Sequence, residues 1–223
     1  MKAKVNMDGG LLKNKSNSLI KKILVGATLA TTLGMGFWAS KAFYTIKEVI
    51  DGDTFVTSEN QYVRFDKVDA PEIDYCLGKQ SKDELSKLIL NKKVFIKVSY
   101  IEQNRNRLIG SVYTTNGDVE ETMLKKGLAT LRGGAKRDNL SNATNYAQNK
   151  NLGVYSNLCT QQENLQKPEC NIKGNNRDGQ RMYRFPGCKN YDSTLVQLYR
   201  GDQWFCTEAE AKKAGFTKGG DCK

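Results

Sequence analysis

From Phe43 to Tyr113 the chain is built of short runs that alternate apolar with polar residues: YTIKEVI, TFVTS, QYVRFDKV, VFIKVSY and RLIGSVY. Alternation with period two places every second side chain on one face, so each run reads as a half-buried strand. Turn chemistry separates the runs. Asp51-Gly52-Asp53, Ser58 to Asn60, Glu102 to Asn106 and Asn116-Gly117 are polar, turn-forming stretches. Helical signals interrupt the strands. A Ser81-x-x-Glu84 capping box precedes Leu85, Leu88 and Ile89, which share a helical face closed by Asn91. Asp118 with Glu121 caps a second, short helix that stops at Gly127, and a third, weakly amphipathic helix runs from about Leu140 to Lys150 and closes at Gly153. Five or so strands interleaved with three helices make an α+β domain.

The 223 residues leave room for one or two domains with at least one good core. The net charge of +11 invites a nucleic-acid reading, but residues 1–42 carry seven lysines and one aspartate, leaving 28 basic and 23 acidic residues for the remainder. More than half of the excess therefore sits in the leader, and global charge is weak support for a polyanionic partner. The absence of histidine says more. Imidazole-based catalysis and His-ligated metal sites are excluded, so any base is a carboxylate, Lys, Tyr or Cys.

Ile23 to Ser40 is free of charge and bounded by Lys22 and Lys41. A basic start, an apolar centre and small residues at Ser40 and Ala42 fit a signal peptide cut after Ala42, with an uncleaved membrane anchor as the alternative. In either case Lys21 and Lys22 favour keeping the N-terminus inside, so the remainder is expected to be exported. Six cysteines follow: Cys76, Cys159, Cys170, Cys188, Cys206 and Cys222. An even number in an exported chain reads as disulfides. Zinc ranks second, since neither a Cys-x-x-Cys pair nor a His is present. Sequence does not choose among the 15 pairings that six cysteines allow. The expectation is Cys76 with Cys159, and the last four among themselves.

The chemistry gathers between Val49 and Glu72, VIDGDTFVTSENQYVRFDKVDAPE. Asp53 closes a DGD turn, Arg64 lies in a strand, and Asp69 and Glu72 follow in an exit turn, so two strand ends could bring them together. Two carboxylates beside a backbone carbonyl suit a hard cation such as Ca²⁺, a guanidinium offers a planar fork to phosphate, and a further carboxylate can take a proton from water. The plainer reading of each fragment is turn chemistry, with Asp53 and Asp69 bonding their own loops. An EF-hand is excluded, because counting from Asp51 puts Tyr62 where that loop needs Glu.

The ordered set VIDGDT, VRF, VDAPE and then NRNRLIGSVY resembles the staphylococcal nuclease (thermonuclease) family over about residues 44–158. The resemblance implies an OB-type β-barrel with packed helices. It further implies Ca²⁺ held by Asp53, Asp69 and the carbonyl of Ala70, Glu72 as general base on the attacking water, and Arg64 with Arg107 gripping the phosphate in its transition state. DNA, RNA or both are the implied substrate. There are departures. Asn104 and Arg105 replace a Lys-Tyr pair, and Leu131, Arg132, Gly133 and Gly134 stand where familiar members place base-stacking tyrosines, so substrate preference is not inherited.

Thr160 to Pro168 is a polar, Gln-rich run that reads as a linker. Residues 169–223 then form a small α+β module, with an Asp178-Gly179 hairpin turn and a Thr207/Glu210 capping box, that resembles a cysteine-containing unit appended to some exported nuclease-like proteins. So small a unit needs staples. Tyr183, Phe185, Tyr191, Trp204 and Phe205 read mainly as its core, and its partner is unassigned. The expected organisation is a leader at 1–42, a nuclease-like domain at 43–159, a linker at 160–168 and an accessory module at 169–223. The rivals are a non-catalytic OB module that only binds nucleic acid and a cell-envelope interaction protein.

Overall fold

The alternating runs become strands in register. In the computed structural model, which describes residues 43–133, 137–177 and 179–223, β1 (Phe43–Val49), β2 (Thr54–Thr57) and β3 (Tyr62–Phe65) form an antiparallel meander. The expected leader and Gly134 lie outside the described residues. Next, β5 (Lys93–Glu102) pairs with β1, and β6 (Arg107–Thr114) pairs with β5. Parallel pairing of β3 with β6, from Tyr62 opposite Arg107 to Phe65 opposite Gly110, closes the five strands into an OB-type barrel. Closure leaves the barrel without free edges.

Two-residue strands and helices complete the domain. β4 (Val68–Asp69) pairs with β8 (Thr130–Leu131), and β7 (Gly117–Asp118) folds back antiparallel on the end of β6. The helices are α1 (Gly78–Ile89), α2 (Val119–Lys125) and α3 (Asp138–Asn149). Phe55, Val63 and Phe65 from the barrel meet Leu85 and Ile89 of α1, Met123 and Leu124 of α2 and Leu140 of α3 in one buried core. Each such side chain contributes about 1.5–3 kcal/mol by leaving water.

The Ser81/Glu84 capping box is not what starts α1. The helix begins three residues earlier, after Leu77 in the left-handed region (φ 66), and Ser81 is buried within it. Its Oγ donates to the Leu128 carbonyl at 2.7 Å, tying α1 to the chain beyond α2. Gly78 allows the early start. A Cβ there would lie 1.9 Å from the Glu72 carbonyl oxygen, so only glycine lets the helix begin against that loop. The Asp118 cap holds as expected, its carboxylate accepting from the Glu121 N–H at 3.3 Å.

Beyond the barrel, β10 (Ile172–Arg177) and β11 (Gln180–Arg184) form a hairpin, with β13 (Gln203–Phe205) beside β10 and β14 (Thr217–Lys218) parallel to β11. The short α4 (Glu208–Lys213) starts at Thr207, whose hydroxyl accepts from the Glu210 N–H. Ile172, Tyr183, Phe205, Ala211 and Phe216 are the core, so Tyr183 and Phe205 serve packing. All six cysteines are bonded, as Cys76–Cys159, Cys170–Cys206 and Cys188–Cys222.

Thr160 and Gln161, at the start of the Gln-rich run, form β9 and pair with β12 (Val196–Gln197). The Leu198 N–H donates to the Cys159 carbonyl at 2.8 Å, and Trp204 Nε1 donates to Gln161 Oε1 at 2.7 Å. Val154, Cys159 and Tyr199 are buried together beside Cys76, Leu77 and Tyr155. These contacts make residues 43–223 one compact unit. Among the described residues no helix is long and apolar enough to cross a membrane.

Candidate active site

The DGD turn is built by its first aspartate. One oxygen of Asp51 accepts from the N–H groups of Asp53 (2.9 Å) and Thr54 (2.7 Å), a turn in which a side chain replaces a backbone acceptor. Asp53 is thereby released from turn duty. Gly52 lets the turn press inward, since a Cβ there would meet Ser81 Oγ at 2.0 Å and Ala70 Cβ at 2.6 Å. The close approach brings Asp53 against the Val68–Glu72 segment.

Asp53 is 1 % exposed, and both its oxygens are engaged. Oδ1 meets Arg64 Nη1 at 2.7 Å and accepts from the Thr54 hydroxyl at 2.8 Å, while Oδ2 accepts from the Ala70 N–H at 3.0 Å. Arg64 faces Thr54 across the β2–β3 pair, which is why its guanidinium reaches both turns. Its Nη2 meets Asp69 Oδ1 at 2.5 Å, and the same oxygen accepts from Arg132 Nη2 at 2.8 Å. One guanidinium thus spans the two carboxylates.

Burial, helped by the repulsion of Asp51, pushes the Asp53 carboxyl up to about 7, against the pull of Arg64. For Arg64, burial acts downward, and Asp53 and Asp69 outweigh it and raise the group. The two shifts together describe a buried carboxylate that one arginine leaves short of positive charge. A hard dication fits that deficit. The oxygens of Asp53 and Asp69 stand close enough to share one guanidinium, and Asp69, with its side chain 52 % exposed, is open to solvent. The donor set is small, however. Among the described residues no three His, Cys, Asp or Glu side chains gather as a metal cage, so a cation taking six to eight oxygens would complete its shell from water or substrate.

Glu72 lies past Pro71, and its carboxylate is exposed and has no hydrogen-bond or ion-pair partner among the described residues. The backbone beneath it is fixed, because its carbonyl accepts from the Tyr75 N–H at 2.9 Å and Gly78 packs against it. Asp69, Ala70, Glu72 and Arg132 line one cleft of about 520 Å³.

Arg107 stands apart. It starts β6 opposite Tyr62, two register positions from the Ile109 that faces Arg64. Strand rise and spacing put the two arginine backbones roughly 8 Å apart. Its Nε and Nη2 are both given to Glu102 Oε2, at 2.9 and 2.6 Å, and it does not line the cleft. Sequence reasoning missed Arg132, which shares Asp69 with Arg64. The signal was the arginine itself, standing in a segment where the resemblance implied aromatic residues.

Residues 62–157 match the family model described as "Staphylococcal nuclease homologue". The chain carries a staphylococcal nuclease family domain. Arg64, Asp69, Ala70, Glu72, Arg107 and Arg132 fall within the matched segment, while Asp53 precedes it. Among similar proteins, the staphylococcal-like nuclease CAN1 of Arabidopsis thaliana is 35 % identical over 95 residues, 42 % of this chain and 29 % of the relative. The probable staphylococcal-like nuclease CAN2 of Oryza sativa subsp. japonica is 38 % identical over 77 residues, 34 % of this chain and 21 % of the relative. An uncharacterized endonuclease of Escherichia coli is 32 % identical over 89 residues, 38 % of this chain and 57 % of the relative. The match thus covers under two thirds of each relative. The matched segment takes in β3, β5 and β6 with the three helices, while β1, β2 and the residues beyond 157 lie outside it.

Proposed function

We propose that this chain is an exported, Ca²⁺-dependent nuclease that hydrolyses phosphodiester bonds of DNA, RNA or both. The observation that carries the reading is the span of Arg64 across Asp53 and Asp69, with Asp69 and the exposed carboxylate of Glu72 lining one cleft. Export is supported by the three disulfides, which persist in oxidising compartments.

An anionic diester repels an incoming lone pair, and attack adds negative charge to the phosphoryl oxygens. Arg64, held in place by two carboxylates, meets that charge with a planar pair of donors already oriented, which lowers the cost of reorganisation. Glu72 takes the proton of a water as its oxygen bonds to phosphorus, and the P–O bond to the departing sugar then breaks. Arg107, on the neighbouring strand and outside the cleft lining, leaves Glu102 for the phosphoryl oxygens as their charge grows. Ca²⁺ held by Asp53, Asp69 and the Ala70 carbonyl would supply a dication that offsets the charge of the diester. Lysine at either arginine would lose the planar fork.

The test is digestion of single- and double-stranded DNA and RNA by the purified protein with Ca²⁺ or with chelator. Cleavage that needs the cation is expected. Retention of nucleic acid with no cutting under any metal condition would replace the enzyme by a binding module.

A further inference from the structure

The active-site cleft has a second wall, and it comes from the C-terminal module. Asn176, Tyr199 and Arg200 line the same opening as Asp69, Glu72 and Arg132. This wall is seated on the loop that carries the general base. Gly201, with φ +82, lies so close to the Tyr75 ring that a Cβ would be 2.7 Å from it, and Tyr75 in turn gives its N–H to the Glu72 carbonyl. From inside the module, buried Asp202 accepts from the backbone N–H groups of Asn176 and Gln197, both at 2.8 Å, and so holds the strand end and the turn that face the cleft.

Folding accounts for Asp202 and Gly201 but not for Arg200. Its side chain is exposed and has no carboxylate partner among the described residues, whereas Arg177 nearby is engaged by Asp202. The guanidinium stands 5.7 Å from the Tyr199 ring, which limits its freedom. Beside it, Asn176 gives its Nδ2 to the Arg200 carbonyl at 3.4 Å and keeps a buried Oδ1 with no donor. A cleft with Arg132 on one wall and Arg200 on the other has the chemistry of a run of phosphates.

We propose that Arg200, its carbonyl braced by Asn176, is a substrate-binding subsite for the phosphate that flanks the scissile one, so that the C-terminal module is a wall of the nucleic-acid cleft. This rests on the reading of the barrel as a nuclease site. It also assigns the module's work to the enzyme itself and not to a separate partner.

The test is fluorescence anisotropy of a labelled phosphorothioate oligonucleotide with the full protein, beside cleavage of the unmodified strand. Arg200→Ala is expected to bind about two- to fivefold more weakly near 0.1 M salt, the range of one exposed ion pair. The slope of log affinity against log salt should become shallower by about 0.7, one phosphate contact on a single strand. KM should rise with kcat nearly unchanged, and Arg200→Lys should restore most of the slope. Lys213→Ala, an exposed charge on α4 outside the cleft, should match the parent protein in all respects. Parent-like affinity and slope in Arg200→Ala, in a protein that cuts, overturns the subsite alone. A parent protein that binds without cutting, with binding weakened in Arg200→Ala, overturns the nuclease reading and leaves the subsite standing. A parent protein that neither binds nor cuts overturns both.

Discussion

Arg107 gives two donors to a single oxygen of Glu102, Nε at 2.9 Å and Nη2 at 2.6 Å. Its charge is therefore partly satisfied before any substrate arrives, and a phosphate must compete with Glu102 for it. If the exchange happens as charge builds during attack, loss of Arg107 acts on the rate and not on ground-state affinity. We predict that Arg107→Gly lowers the single-turnover rate about 100- to 1000-fold, the usual cost of one transition-state donor, with little change in Kd. Glu102→Gln should raise kcat/KM by up to about fivefold, since the competing ion pair is partly exposed. An Arg107→Gly protein with a large loss of affinity and an unchanged rate at saturation would make Arg107 a positioning residue.

Asp69 is the exposed ligand of the proposed Ca²⁺ set, and its replacement should leave the fold intact. Asp69→Asn should weaken Ca²⁺ binding by on the order of tenfold or more, as removal of one ligand charge does in oxygen-ligated sites. Activity should fall in parallel and be partly restored at high Ca²⁺. Calorimetric titration of Ca²⁺ beside the rate measures both. Full activity at limiting Ca²⁺ in this variant would refute the metal assignment. Asp53→Asn should lose binding too, but with a fall in thermal stability, because Asp53 also holds Arg64, Thr54 and the Ala70 N–H.

The barrel was legible because strand alternation and turn residues are local signals, and the caps at Asp118 and Thr207 act within four residues of chain. What failed was the start of α1. Ser81 and Glu84 have the spacing of a cap, but Ser81 is drawn into the interior by the Leu128 carbonyl and by the press of Gly52, neither of which has a local trace. The ordered motif named Asp53, Arg64, Asp69 and Ala70, which bond to one another, and Glu72, which shares a cleft with Asp69 and Ala70, and it did not show that Glu102 occupies Arg107. The role of Asp51 as builder of the turn was hidden by the symmetry of the DGD triplet. Arg132 and the wall formed by Asn176 and Arg200 depend on long-range packing, through the β4–β8 pair and the Gly201–Tyr75 contact, which no short motif encodes.

Cys76 sits four residues after Glu72 and bonds Cys159 across 83 residues. The bond restrains the unfolded chain and also pins the loop that follows Glu72. Cys76→Ser with Cys159→Ser should cost about 2–4 kcal/mol and should reduce kcat at temperatures where the protein remains folded. Chemical unfolding and steady-state rates measure the two effects. The parent protein should show no reactive thiol until it is reduced, and six reactive thiols with stoichiometric zinc in the native protein would contradict the disulfide pattern.

Asp202 tests whether the module's interior governs the cleft. Its carboxylate is buried and accepts from Asn175 Nδ2 (2.9 Å), the N–H groups of Asn176 and Gln197 (2.8 Å each) and Arg177 Nη1 (2.9 Å). Asparagine has the same shape, but its amide nitrogen would face donors where the carboxylate offered an acceptor. Arg177 is 37 % exposed and can return to water, so the penalty falls mainly on the orphaned N–H groups. Asp202→Asn should therefore lose about 2–4 kcal/mol, which for a unit of this size lowers Tm by about 4–15 °C. Because Asp202 also orients the strand end and the turn that carry Asn176 and Arg200, KM for a long strand should rise at temperatures well below the transition, while a dinucleotide, too short to reach that wall, should be cut as before. A Tm within about a degree of the parent protein would mean that the network is dispensable. A large drop in Tm with KM unchanged on both substrates would mean that it holds the module together without shaping the cleft.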